Sequence, residues 1–177
     1  TTEIYTLSLH DALPIFCHQA GVPFTIVRPH NVYGPRMGMA HVVPELMKKA
    51  WEQPEGGRLE VFSPDHRRTF CYVDDAVAMI DAISTAAAGL GGTFNVGVES
   101  PEVEIRELAE RILACVGRTL PLALGDTTPG SPSRRCPDIS RLTAATGVTP
   151  QVSLDAGLAR TFEWYRRTVF APAQEAK

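Results

Sequence analysis

The chain of 177 residues predicts an α/β fold, and three observations carry that prediction. Short runs rich in β-branched and aromatic residues alternate with longer runs whose apolar residues recur every three or four positions. Gly and Pro punctuate most of the junctions between them. Strands that alternate with helices build a sheet covered by helices.

The elements follow in order. Gly21, Val22 and Pro23 end a helix whose tail is FCHQAG, and FTIVRP (24–29) reads as a buried strand. NVYGPRMG (31–38) is a loop that places Asn31, Tyr33 and Arg36 at a strand's carboxyl end, where open α/β sheets bind their ligands. On composition alone the plainer reading of that loop, a β-turn with polar surface residues, is preferred. HVVPELMKKAW (41–51) predicts a helix with Val43, Leu46, Met47 and Ala50 on one face and Pro44 in the first turn. RLEVF (58–62) and TFCYV (69–73) are strands separated by the turn SPDH (63–66). Asp74 and Asp75 cap the helix AVAMIDAISTAAA, which stops at Gly89.

GTFNVG (92–97) is a further strand. Ser100 as cap and Pro101 at the first helical position open a helix striped by Ile105, Leu108, Ala109, Ile112, Leu113 and Val116 and closed by Gly117. LPLAL (120–124) is a strand, and GDTTPGSPS (125–133) is a loop. Asp138 caps a short helix ending at Gly147, and Ser153 opens a last helix with Leu158, Phe162 and Tyr165 inward.

Composition excludes several classes of function. Hydrophobic residues at 44% and charged residues at 21% describe an ordinary globular chain, and no apolar run reaches the length of a membrane span. A net charge of −3 gives no reason to expect nucleic acid as a partner. Cys17, Cys71, Cys115 and Cys136 are scattered, with no C-x-x-C, which argues against a zinc site and a disulfide framework and makes a reducing cytoplasm the default. His18, His30, His41 and His66 lack metal-ligand spacing, GLGGTFNVG (89–97) is not a dinucleotide loop, and no serine sits in a G-x-S-x-G elbow.

The arginines offer the most chemistry. Arg67 and Arg68 are adjacent, so in a strand only one can face a site, and Arg68 shares its face with Phe70 and Tyr72. Arg134 and Arg135 close the loop that begins at Gly125. Guanidiniums on separate segments suit a diphosphate, because each makes paired, charge-assisted hydrogen bonds to its oxygens. Taken singly, each basic pair reads as a solvated face.

Five stretches, VRPHNVYGPRMG, HVVPELMKKA, LEVFSPDHRRTFCYVDDAVAMI, FNVGVESPEVEIRELAERI and SRRCPDISRLTAATGVTPQVSLDAGLARTFEWY, follow one another in an order that resembles the extended short-chain dehydrogenase/reductases. These are the NAD-dependent nucleotide-sugar epimerases, dehydratases and decarboxylases, and the likeness runs from about Phe16 to about Val169. The arginine-then-PDIS ending looks closest to the UDP-glucuronate decarboxylases and neighbouring epimerases. The resemblance implies the carboxyl-terminal part of a Rossmann-type fold, with the last sheet strand or strands and a small substrate-binding α/β lobe. It implies NAD as cofactor, a nucleoside-diphosphate sugar as substrate and a homodimeric parent protein. It places Pro29 and His30 beside the nicotinamide and Asn31 on the sugar-phosphate. His41 and Val42 would line the substrate cleft, Phe62 would pack near the base, and Arg68 and Arg135 would clamp the diphosphate. No residue of this chain is expected to be catalytic, and none to bind a metal.

The family's glycine-rich loop and Tyr-x-x-x-Lys pair are missing from this sequence. Leu9, Met37, Ala76 and Val169 stand four positions after Tyr5, Tyr33, Tyr72 and Tyr165. FCHQAG looks like the tail of the helix that would carry that pair, yet TTEIYTLSLHDALPI (1–15) precedes it and resembles the translation of a sequencing-library adapter. The expectation is therefore that residues 1–15 are not native and that 16–177 form the substrate-binding half of an enzyme, inactive alone. Without Glu3 and Asp11 the acidity carries no weight. The alternative is a non-catalytic relative that binds a nucleotide sugar or a protein.

Overall fold

The structure, a computed structural model, describes residues 9–171; residues 1–8 of the opening stretch lie outside the described residues. Helix α1 (Leu9–Ala20) runs through position 15 without a break and holds Pro14 inside it. Over residues 13–20 it presents no buried side chain: Leu13, Ile15 and Phe16 are all exposed.

Two cores organise the rest. In the first, strand β1 (Ile26–Pro29) pairs in parallel with β6 (Thr93–Val96), and Pro29 lies opposite Val96. Helices α3 (Val73–Thr85) and α5 (Ser140–Thr146) pack on this ribbon and bury Met79, Ile83, Phe94, Val96 and Leu142. The sequence predicts a buried strand at 24–29, but Ile26 and Val27 are half-buried and Arg28 and Pro29 exposed. β6 is the one strand that pairs with β1 among the described residues, so much of β1 stays open.

The second core joins helices α2 (Val42–Glu52), α4 (Ile105–Val116) and α6 (Leu154–Tyr165) to the parallel strands β3 (Leu59–Val61) and β8 (Leu122–Leu124). Val43, Leu46, Met47 and Ala50 form the buried face of α2, as their spacing predicts. On α4 the buried residues are Ile105, Leu108, Ala109, Ile112 and Leu113, with Val116 only partly covered at the end. Fully burying one such side chain contributes about 1.5–3 kcal/mol. Gly117 ends α4 at φ 75°, a left-handed conformation that glycine adopts without Cβ strain.

Three expectations need correcting. The segment 31–38 is not all loop, because Val32–Tyr33 forms a strand, β2, paired in parallel with β5 (Cys71–Tyr72). Burial of Tyr33 drives this, and its hydroxyl donates to the Leu154 carbonyl. Ser100 and Pro101 do not start α4. The chain there stays extended into β7 (Val103–Glu104), which pairs antiparallel with β4 (Arg67–Arg68) and buries Val103, so the helix waits until Ile105. Asp74 and Asp75 lie in the first turn of α3, and Tyr72 occupies the cap position. Asp75 is buried and instead accepts the backbone N–H groups of Gln151 (3.0 Å) and Val152 (2.9 Å). Ser153 does cap α6, accepting from the Ala156 N–H, and Asp138 accepts from the Ser140 N–H.

Candidate functional site

Strand β9 (Arg134–Arg135) runs parallel to β4, with Arg67 opposite Arg134 and Arg68 opposite Arg135. Successive side chains on a strand point to opposite faces, so the register sorts four arginines into two pairs. The outer pair shares one carboxylate: Arg134 meets Glu102 at 2.8 Å and Arg67 meets it at 3.4 Å. Hydrogen bonds from Arg134 hold the Glu102 carboxyl below the usual carboxylate range.

The inner pair is not neutralised. Arg68 and Arg135 both line a cavity of about 770 Å³, and among the described residues no carboxylate pairs with either. Arg68 is only 7% exposed. Its guanidinium donates to the Arg67 carbonyl at 2.7 Å, to the Ser131 hydroxyl at 3.2 Å and to the Pro132 carbonyl. Burial, and after it the charge of Arg135, pull Arg68 down from the ordinary guanidinium value. Arginine nonetheless stays charged at neutral pH. A buried charge without a counter-ion is costly, so an anion in this cavity would offset that cost.

The remaining walls come from neighbouring elements. Residue 31, beyond the carboxyl end of β1, has a left-handed backbone (φ 43°), which asparagine tolerates, and its amide donates to the Thr69 carbonyl at 2.9 Å. α2 contributes its cap residue His41, Val42 and Glu45 from its first turn, and Lys49 from its last. β3 ends at Val61 and delivers Phe62, 48% exposed, with the Lys49 ammonium 5.7 Å from its ring centre. Lys49 is itself paired with Glu45 at 2.7 Å. Ser63 donates to the Thr128 hydroxyl at 3.3 Å and accepts its N–H at 2.9 Å, tethering the 125–133 loop to the rim.

Of the residues singled out from sequence, Asn31, His41, Val42, Phe62, Arg68 and Arg135 line this one cavity. Pro29 and His30 do not; they sit at the end of β1 against β6, where the His30 N–H donates to the Val96 carbonyl at 2.8 Å. Arg36 is exposed outside the lining. Tyr33 and Tyr72 are core residues arranged edge-to-face; Tyr33 and Phe70 also reach the cavity wall, and Tyr72 does not. Sequence reasoning missed His66, Lys49 and Ser131. The alternation that joins Arg68 to Phe70 also joins it to His66, which was the available signal for that residue. Among the described residues no cluster of histidine, cysteine or acidic groups could hold a metal ion, and no helix is long and apolar enough to cross a membrane.

The cavity therefore presents paired cations for an anion, an aromatic face for a flat group and a mixed polar and apolar wall between them. Comparison with known proteins places the chain in a family. Residues 7–97 match the sequence model of the NAD dependent epimerase/dehydratase family. The chain is 36% identical over 149 residues to GDP-L-fucose synthase 1 of Arabidopsis thaliana, covering 80% of this chain and 45% of that protein. It is 32% identical over 158 residues to UDP-glucuronic acid decarboxylase 3 of the same plant, covering 87% and 44%. Its structure resembles the UDP-glucose 4-epimerase of Thermotoga maritima solved with UDP-glucose, at a TM-score of 0.78 and 26% identity over 89% of this chain and 50% of that one. The chain thus spans about half the length of the relatives it matches.

Proposed function

The chain belongs to the NAD-dependent epimerase/dehydratase family, and on that premise we propose that it supplies the nucleotide-sugar-binding half of an NAD-dependent enzyme. The substrate is a nucleoside-diphosphate sugar. Its diphosphate lies between Arg68 and Arg135, its base against Phe62, and its sugar runs past Asn31, His41 and Val42. The observation that carries this reading is the inner arginine pair, charged and without a carboxylate partner on the cavity wall. A steroid or flavonoid substrate would leave both guanidiniums without a counter-ion.

NAD would supply reversible hydride transfer at the sugar's C4, the step that precedes epimerisation, dehydration or decarboxylation. The residues present fit only an edge of that cofactor. Pro29 is exposed and His30 half-buried at the carboxyl end of β1, one residue from the cavity at Asn31. The rest of the NAD site, with the Tyr-x-x-x-Lys pair that moves the proton of the sugar hydroxyl, is assigned to sequence outside residues 16–177. The part played by this chain is to bind and orient the sugar nucleotide. A homodimeric parent protein, suggested by the family resemblance, and a cytoplasmic location, suggested by four unpaired cysteines, belong to the same proposal.

The test has two arms. The 177-residue chain should bind UDP-glucose or GDP-mannose in titration calorimetry without turning either over. DNA recovered upstream of the Phe16 codon should encode a glycine-rich loop and Tyr-x-x-x-Lys in frame, and the completed protein should reduce bound NAD with a sugar nucleotide. Turnover by the chain alone contradicts the division of labour. A degenerate upstream motif makes the protein a binding module rather than an enzyme.

A further inference from the structure

The imidazole of His66 stands against the inner arginine pair, and nothing in the reading above gives it a role. It is only 7% exposed and lines the cavity. Its Nδ1 lies 3.5 Å from Arg68 Nη2 and 3.4 Å from Ser131 Oγ. The backbone fixes it from both sides: its N–H donates to the Ser63 carbonyl and its own carbonyl accepts the Ile105 N–H, each at 3.0 Å. The charged group against the ring is cationic, Arg68; Arg135, Lys49, Glu45 and Glu60 line the same cavity, with Lys49 and Glu45 paired to each other. The nearby acids are engaged elsewhere, Asp65 and Glu104 both with Arg106 and Glu102 with the outer arginines.

We propose that His66 is a third diphosphate-binding group, and that it takes up a proton from solvent as the diphosphate seats. The proposal rests on the diphosphate reading of the cavity. Nδ1 is placed to accept from Arg68 or Ser131. A diphosphate brings negative charge to the same spot and reverses the local field, which favours the charged imidazole. The ring then donates to a phosphate oxygen beside the guanidiniums. Histidine is the side chain whose charge changes most readily near neutral pH. A diphosphate esterified at both ends has no proton to lose there, so any uptake on binding belongs to the protein.

Titration calorimetry of the 177-residue chain with UDP-glucose, and in parallel GDP-mannose, tests this. Runs at about pH 6 to 8, in two buffers of different ionisation enthalpy, count the protons exchanged. Uptake of up to one proton is expected, with affinity rising on acidification by at most about tenfold per pH unit. His66→Gln should still bind but lose both the uptake and the pH dependence, while His18→Gln, exposed on α1 and outside the cavity lining, keeps them. No uptake by the unaltered chain overturns the proposal without any variant having to fold. Unchanged uptake in His66→Gln overturns it as well. Failure of both sugar nucleotides to bind at every pH overturns the diphosphate reading itself, and this inference with it.

Discussion

Arg68 and Arg135 stand opposite one another on parallel strands, while their neighbours Arg67 and Arg134 share Glu102 on the other face. One acidic side chain thus pairs with two arginines of the four-arginine cluster, while the other two stand on a cavity wall with no carboxylate partner among the described residues. The two inner guanidiniums differ in setting, because Arg68 is buried and Arg135 exposed.

That difference gives a salt signature. Exposed charges are screened over about 8–10 Å at physiological ionic strength, and buried ones much less. Arg135→Ala should weaken sugar-nucleotide binding at low salt and lose most of that effect in high salt. Arg68→Ala should weaken it at both. Calorimetric titrations at two salt concentrations read the difference directly.

Gly157 packs a helix onto an aromatic ring. A Cβ there would come within 2.9 Å of Tyr33 Cζ and 3.0 Å of Tyr72 Cδ2, and closer still to the Tyr33 hydroxyl. Glycine to alanine in a helix ordinarily gains about 1 kcal/mol. Here the overpacking cost, about 1–3 kcal/mol, should win, and Gly157→Ala should lower the urea midpoint. A raised midpoint would contradict the packing of α6 on Tyr33.

Asp75 holds the 151–152 segment by two backbone N–H groups. A fully buried unsatisfied donor costs about 1–3 kcal/mol, and water can replace part of that loss here because Gln151 is exposed and Val152 half-buried. Asp75→Ala should therefore be destabilising in thermal unfolding by about 1–3 kcal/mol in all. Asp74→Ala, one residue away and exposed, should change stability by less than about 0.5 kcal/mol.

Cys71 is fully buried, and burial, followed by the charge of Asp75, pushes its thiol up to about 12. An unfolded chain ionises the same thiol near its ordinary value of about 8.5. The native state then holds the proton that the unfolded state releases. Stability is intact below the ordinary thiol value and declines as pH rises from there toward about 12, by up to about 1.4 kcal/mol per unit. Burial raises Tyr33 as well, and it acts in the same direction at higher pH. Urea midpoints at about pH 8 and about pH 10 should diverge in the unaltered chain and converge partly in Cys71→Ala. Thiol reagents should spare Cys71 until the chain unfolds.

Helix faces were legible in the sequence wherever one side of a helix is buried, as for Val43, Leu46, Met47 and Ala50 on α2 and the stripe on α4. The pairing of Arg68 with Arg135 was suggested by chemistry and resemblance, but the face they share comes from a register between segments more than sixty residues apart. The two-residue strands β2, β4, β5, β7 and β9 are too short to show a period of their own. Their existence depends on partners far away in sequence. Asp75 misled for a related reason: an acid at a helix start looks the same whether it caps its own helix or reaches a distant loop. His66 was overlooked because the alternation that puts it on the face of Arg68 begins inside the polar turn 63–66, where no strand period is expected.

The most direct test of the account is calorimetric titration of UDP-glucose and GDP-mannose into the unaltered chain and three arginine variants. The account predicts saturable binding that falls about ten- to 150-fold in Arg68→Ala, from the loss of a charged hydrogen bond worth about 1.5–3 kcal/mol. Binding should also fall in Arg135→Ala and persist in Arg134→Ala, whose side chain faces Glu102. Equal affinity in all four proteins, or no binding by the unaltered chain, would contradict the claim that the inner arginine pair holds a diphosphate.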